Sequence, residues 1–224
     1  MWKAHVLSNY SPTTFNIERR FLHAAFNVAI KWGFVENNPM KHAGKVKTEE
    51  KRLYLTPTEL LEVLKLINAD IDKTQSPLLK QFRNYVEFLL LTGLRRSEAI
   101  SLEKADIDFV KNQITIRRTK TKMMRIIPLH PRAKDILLEQ GDKVFSELHR
   151  NFVTKKFGSY LTAANLSDFK LHSLRHTFAT NLVAKGVDIY TVSRLLGHTD
   201  IKMTMVYAKV NTSMLQSAIA RLDS

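Results

Sequence analysis

Two arginines, at least one lysine, two histidines and a tyrosine stand in four separated segments of a 224-residue chain, with no paired carboxylates beside them. The first segment is Thr92-Gly93-Leu94-Arg95-Arg96-Ser97-Glu98, where a glycine break puts Arg95 at a junction between two apolar stretches. Arg95 can reach into a cleft there, or simply pair with Glu98 or with the last carbonyls of the preceding helix. The second holds five cations in nine positions, Arg117, Arg118, Lys120, Lys122 and Arg125, with no acid among them. Such a turn is either a solvated loop or a phosphate contact. The missing acids favour phosphate without choosing a lysine. The third is His172-Ser173-Leu174-Arg175-His176, which on a helix puts His172, Arg175 and His176 on one face. A zinc-binding helix would carry Glu beside the first His. Ser173 stands there instead, and Arg175 repels a divalent cation, so no metal is expected. A structural His pair or a phosphate clamp remains. The fourth is Leu195-Leu196-Gly197-His198, with Tyr207 nine residues further on. Alone, Tyr207 would read as a half-buried aromatic with a wet hydroxyl.

Together these residue types suit one reaction, the attack of a tyrosine hydroxyl on a phosphodiester. Two guanidiniums can hold the non-bridging oxygens through bidentate hydrogen bonds and stabilise the five-coordinate charge. A lysine can protonate the departing oxygen, and a histidine can take the tyrosine proton or bond the phosphate. The set calls for no metal or other cofactor.

The overall charge agrees with a phosphate-bearing partner. Thirty-five Lys and Arg against 21 Asp and Glu leave +14, which favours nucleic acid and, second, a membrane surface. There is no cysteine, which excludes a disulfide scaffold, a thiolate zinc site and a thiol nucleophile. The longest apolar run, Phe88 to Leu91, is far short of a bilayer span, and no signal peptide opens the chain. A cytoplasmic protein with no membrane role is the expectation. With 7 Gly and 6 Pro and no repeat of 20–50 residues, low-complexity and solenoid architectures drop out.

The elements that must position these residues read as mainly α with one small antiparallel sheet, an α+β fold. Ser11 caps and Pro12 opens a helix whose apolar positions are Ile17, Phe21, Ala24, Val28 and Trp32. A polar stretch from Lys41 to Arg52 reads as a linker. Thr56-Pro57-Thr58-Glu59 is a capping box that starts the next helix. Another helix spans roughly Leu78 to Leu91, is broken by Gly93, and restarts near Ser97. Period-two alternation around Ile114 and Ile116, with a second run at Arg125 to Leu129, predicts about three strands. After Pro131 the chain reads as helix, punctuated by Gly141, Gly158, Gly186 and Gly197. Asp200 or Thr199 caps a short helix carrying Tyr207. Met214, Leu215, Ala218, Ile219 and Leu222 form an apolar stripe on a terminal helix.

From about Arg52 to Tyr207 these segments resemble the tyrosine recombinases, the phage integrase family that includes the Xer recombinases. The order Thr-Gly-Leu-Arg, Thr-Lys-Thr in a hairpin, His-x-x-Arg-His, Leu-Leu-Gly-His and Tyr carries the resemblance. It implies that Arg95 and Arg175 are the two catalytic arginines, and that His172 and His198 belong to the second and third boxes. It makes Tyr207 the nucleophile. Lys120, eight positions before Pro128, looks like the hairpin lysine, with Lys122 its rival. Glu98 would brace the Arg95 turn, and Arg96, Arg117, Arg118, Lys122, Arg125 and His176 would contact DNA.

The resemblance further implies a domain plan. Residues 1–40 would be the C-terminal part of a helical core-binding domain, 41–52 a linker, and 53–224 a catalytic domain with a tail helix. The expected activity is site-specific cutting and rejoining of double-stranded DNA through a 3′-phosphotyrosyl intermediate, with no cofactor. It would run as a homo-tetramer, by way of a Holliday junction, with accessory DNA-bending proteins as further partners. Such a protein works at the nucleoid. The tail, residues 213–224, would dock on a neighbouring subunit. Because only about 50 residues precede the catalytic part, half of the DNA clamp is expected to be missing, and binding by this chain to be weak and salt-sensitive. The alternatives are a non-catalytic DNA-binding module of the same fold, in which covalent capture fails, a type IB topoisomerase, and an RNA-binding protein.

Overall fold

The computed structural model of the chain describes residues 2–48, 53–117, 124–141 and 143–208. It divides into two compact units, Met1–Arg52 and Leu53–Ser224. No described helix is long and apolar enough to cross a membrane.

The first unit holds α1 (Trp2–Asn9) and α2 (Pro12–Lys31). Ser11 Oγ accepts the Thr14 amide at 3.2 Å with Pro12 in the first turn, so the start of α2 lies where its local signals put it. Val6, Phe15 and Met40 are buried, and the Trp2 and Phe15 rings sit 5.0 Å apart. The apolar stripe of α2 faces the other way. Ile17, Phe21, Val28 and Trp32 are all exposed, because α1 packs on the Phe15 side only. In the polar stretch that follows, Asn16 exchanges two hydrogen bonds with the Val46 backbone (2.8 and 3.0 Å). Arg19 Nη1 donates to the Ala43 carbonyl at 3.1 Å. Residues 41–48 are thus fastened to α2 rather than left hanging.

The second unit is built around α4 (Pro77–Thr92). It packs against α3 (Pro57–Thr74), α6 (Pro131–Leu138) and α8 (Ser173–Ala184). The predicted capping box is present. The Thr56 side chain accepts the Glu59 amide, and Glu59 Oε2 accepts the Thr56 amide at 2.8 Å. Phe82, Tyr85 and Phe88 of α4 are fully buried, each stabilising the fold by about 1.5–3 kcal/mol. The Tyr85 hydroxyl donates to the Arg96 carbonyl at 3.2 Å, so α4 also ties down the start of α5 (Arg96–Ile100).

The sheet has three antiparallel strands in the order β1 (Ile107–Asp108), β2 (Gln113–Ile116), β3 (Arg125–Pro128). Ile114 lies opposite Ile127, and both are buried; Ile116 lies opposite Arg125. That register puts Arg125 at the start of β3, which packs against α9 (Ile189–Leu196).

Three local expectations need correction. The described residues between α6 and α7 (Arg150–Ala163) are not helical. There Lys143 forms an isolated antiparallel bridge with Glu103, and the Val144 amide donates to the Leu102 carbonyl, so this segment pairs with the chain that follows α5. Gly158 is no punctuation mark but an interior residue of α7, tolerated because neighbouring positions Val153, Phe157 and Leu161 bury the helix face. Tyr207 is carried not on one regular helix but on two successive 3-10 turns, Ile201–Met203 and Met205–Tyr207, the first capped by Asp200.

Candidate active site

The site begins at two glycine corners. Gly93 ends α4 with φ +63°, and a Cβ there would lie 2.3 Å from the Phe178 ring. Gly197 ends α9 with φ +66°, and a Cβ there would meet Arg125 Cδ at 2.8 Å. Glycine is required at both corners for conformation and for space. The corners aim two sets of helix-terminal carbonyls at the same place, and such carbonyls attract cations.

Arg175 of α8 joins the corners. Its Nη1 donates to the Gly93 carbonyl at 2.7 Å and its Nη2 to the Leu196 carbonyl at 2.6 Å, and the residue is only 3% exposed. Arg95 lies alongside. Its Nη1 pairs with Glu98 Oε1 at 3.0 Å, and its Nη2 points to the Gly197 carbonyl at 3.4 Å. Glu98 is buried and does three things at once. It accepts the Arg95 amide at 2.9 Å, takes the Arg95 guanidinium, and receives a bidentate pair from Arg125 at 3.0 and 2.7 Å. Burial raises the Glu98 pKa, but the hydrogen bonds and charge of Arg125, joined by those of Arg95, bring it net below the usual glutamate value. Three guanidiniums against one carboxylate leave a surplus of two positive charges. Arg175 and Arg95 each engage two of a guanidinium's five N–H donors in these bonds, so donors remain for an anion.

The histidines stand close enough to these arginines to feel their charge. His198 follows the Gly197 corner, and its Nδ1 lies 2.8 Å from Oγ1 of the fully buried Thr204. The other ring nitrogen, Nε2, is left for a ligand. Burial, then the charges of Arg175, Arg95 and Arg125, push its pKa down to about 4. His172 stands at the N-cap position of α8 without a side-chain capping bond; partial desolvation of its ring, then Arg175 and Arg95, lower its pKa although the residue is still exposed. Tyr207 is 9% exposed, and its hydroxyl is 2.6 Å from Nδ1 of His176. Burial raises the Tyr207 pKa, against a smaller lowering by Arg175. Arg95, Arg175, His172, His198 and Tyr207 thus belong to one connected cluster. Among the described residues no group of three metal-ligating side chains gathers.

A strongly basic chain with this arginine–histidine–tyrosine cluster matches the phage integrase family over residues 54–214. The chain belongs to that family. It is 32% identical over 222 residues to the integrase of Escherichia phage 186, across 97% of this chain and 62% of that protein. It is 30% identical over 196 residues to the tyrosine recombinase XerC of Staphylococcus aureus, across 80% of this chain and 64% of that one. The chain therefore spans somewhat less than two thirds of the length of these two relatives. Its fold is that of the Tn1549 transposon integrase in complex with a circular intermediate DNA. The TM-score is 0.77 at 22% identity, over 99% of this chain and 83% of the other. The lambda integrase dimer bound to a COC′ core site gives a TM-score of 0.74 at 23% identity, over 92% of this chain and 61% of that one.

Of the remaining expected residues, Arg125 and His176 join this cluster, while Arg96 and Arg117 lie at exposed positions. Arg125 does not stand free on the hairpin. Its side chain is 10% exposed, its Nε donates to the Leu195 carbonyl at 3.2 Å, and it forms the floor under Gly197. Arg117 is exposed and sits 3.4 Å from Asp106. Arg96 is exposed and donates to Thr154 of α7 at 2.7 Å. His176 lies on Tyr207 instead of on the surface. Arg118, Lys120, Lys122 and the tail at 213–224 lie outside the described residues. Three partnerships were missed from the sequence, His176 with Tyr207, Thr204 with His198 and, last, Arg125 with Glu98. The only trace of the Arg125–Glu98 pair was that Arg125 opens a β-run, whose alternation places it on the buried side with Ile127.

Proposed function

We propose that this integrase cuts and rejoins double-stranded DNA at specific sites, with Tyr207 as nucleophile and a 3′-phosphotyrosyl intermediate. The observation that carries this reading is the convergence of Arg95 and Arg175 on the two glycine corners beside His198, with Tyr207 in the same cluster. In this reading Arg95 and Arg175 hold the non-bridging oxygens of the scissile phosphate with their free N–H donors. His198 Nε2 adds a hydrogen bond while Thr204 fixes its ring. Tyr207 Oη bonds to phosphorus as the P–O5′ bond breaks, and the hairpin lysine, Lys120 or Lys122, protonates the departing 5′ oxygen. A partner strand's 5′-hydroxyl reverses the step, so the phosphodiester energy is kept and no nucleotide is consumed.

The complexes of the Tn1549 and lambda integrases with DNA support DNA as the substrate class. We extend the reading to a tetramer on paired sites, with the tail at 213–224 docking on a neighbour, with accessory DNA-bending proteins, and with action in the cytoplasm at the nucleoid. Residues 1–40 would serve as part of a core-binding domain and 53–224 as the catalytic domain.

The test is covalent capture. The chain is incubated with a randomised library of nicked duplexes, and SDS-resistant protein–DNA adducts are selected and sequenced. The expected result is an adduct on a shared sequence that is lost in Tyr207→Phe and Arg175→Ala. Absence of any adduct under conditions where the folded chain binds the library would reject the reading.

A further inference from the structure

The residue that touches the nucleophilic oxygen is not one of the two box histidines. His176 Nδ1 lies 2.6 Å from the Tyr207 hydroxyl, with the two rings 5.6 Å apart. The His172 ring stands edge-on to His176, 4.9 Å away at 88°, and makes no hydrogen bond to Tyr207 among the described residues. His198 has Nδ1 on Thr204. His172 and His198 therefore stay available for phosphate, and among the described residues only His176 is in place to handle the phenol proton.

We propose that His176 is the proton acceptor for Tyr207, a catalytic residue distinct from His172 and His198. The inference rests on Tyr207 being the nucleophile. In the forward step the O–H bond of Tyr207 breaks, its proton passes to His176 Nδ1, and Oη forms the bond to phosphorus while P–O5′ breaks. In rejoining, the incoming 5′-oxygen bonds to phosphorus, the Oη–P bond breaks, and His176 returns the proton to Oη.

The surroundings suit the task. The charged and titratable groups that act on His176 are His172 and Arg175 from α8 and Tyr207 from the 3-10 turn. Burial, then His172 and Arg175, push its pKa down to about 4, so at neutral pH the ring is uncharged, and in the tautomer protonated at Nε2 its Nδ1 accepts. One turn of helix separates His172 from His176. The phosphate-binding and proton-accepting histidines therefore share one rigid element, and their spacing does not depend on loop motion.

The experiment uses the full chain and a selected nicked substrate, in normal form and with a bridging 5′-phosphorothiolate, whose leaving group needs no proton. Wild-type capture with loss in Tyr207→Phe establishes the nucleophile. Failure at this stage overturns the proposed function and the inference together. His176→Asn keeps a hydrogen-bond acceptor but no proton acceptor, and His176→Gln is a second variant should the first melt early. With wild-type capture in hand, the expected result is single-turnover cleavage at pH 7 slowed on the order of 10²–10⁴-fold. Non-covalent binding is unchanged, the phosphorothiolate gives no rescue, and the variant rate climbs with pH as hydroxide replaces the missing base. Three results would overturn the inference alone: a variant rate within about threefold of wild type, where a general base is worth 10²-fold or more; a faster variant, which would make His176 a latch; or rescue by phosphorothiolate, which would move its role to the leaving group.

Discussion

Thr204 has a small but definable part in this site. It is fully buried, three positions before Tyr207, and its hydroxyl meets His198 Nδ1 at 2.8 Å. Thr204→Val keeps the shape and removes that partner. A hydrogen bond of this kind is worth about 0.5–1.5 kcal/mol, so cleavage should slow about two- to tenfold with the fold intact. A single-turnover assay beside a thermal melt checks this. Glu98 carries more. It holds the partly exposed Arg95 and, in a nearly dry setting, Arg125, and removing one partner of a buried ion pair costs about 3–5 kcal/mol. Glu98→Ala should lower the unfolding free energy by about that amount in a urea titration, a far larger effect than loss of an exposed pair. The histidines add a pH dependence. His176 and His198 have native pKa values near 4 against an ordinary 6.5. Between those values the unfolded chain binds protons that the native chain refuses, so stability is lost as pH falls from 6.5 towards 4. Below 4.5 the protonation of Glu98, whose native pKa is lowered, removes more. Melting temperatures measured from pH 8 to pH 4 should be level at the top and drop through this window.

At the scale of elements, two glycines in similar-looking helical sequence have opposite meanings. Gly93 has φ +63° and a Cβ there would lie 2.3 Å from the Phe178 ring. Left-handed strain of about 1–2 kcal/mol and overpacking of about 1–3 kcal/mol combine against Gly93→Ala. Gly158 lies inside α7, and a Cβ added there would meet nothing within 4 Å. There Gly158→Ala should stabilise by about 0.5–1 kcal/mol through helix propensity alone. Chemical denaturation of the two variants checks both signs. The helix starts were legible because a cap is a local pattern, Ser11 with Thr14 and Thr56 with Glu59. The interior place of Gly158 was not, because glycine in a helix and glycine after a helix look alike until the packed face is known.

For the whole molecule the dominant property is the surplus of +14 charges. If it serves DNA binding as proposed, log affinity should fall linearly with log salt, with a slope of about −0.9 for each phosphate neutralised. The placement of the arginines divides their effects. Arg117→Ala, at an exposed side chain, should reduce that slope by about 1 with little change in stability. Arg125→Ala, at a side chain buried on Glu98, should destabilise the fold. Fluorescence anisotropy across a salt series and a urea titration of both variants separate the two roles.

From its order of residues alone, this protein's family, its candidate residue set and most of its elements could be read. The arginine–histidine–tyrosine set, the capped helices, the Gly93 and Gly197 breaks and the small sheet all rest on signals spanning a few residues. Only the tertiary structure decided the partners. Arg125 meets Glu98 across 27 positions, Arg175 meets Gly93 across 82, and His176 meets Tyr207 across 31. The same holds for the stripe of α2, whose period predicted a helix but not that the helix would turn those residues outward. A period or a cap depends on neighbours along the chain. Which cation meets which carboxylate, and which ring meets the phenol, depends on how α4, α8, α9 and β3 pack, and that is set by the side chains of the entire core.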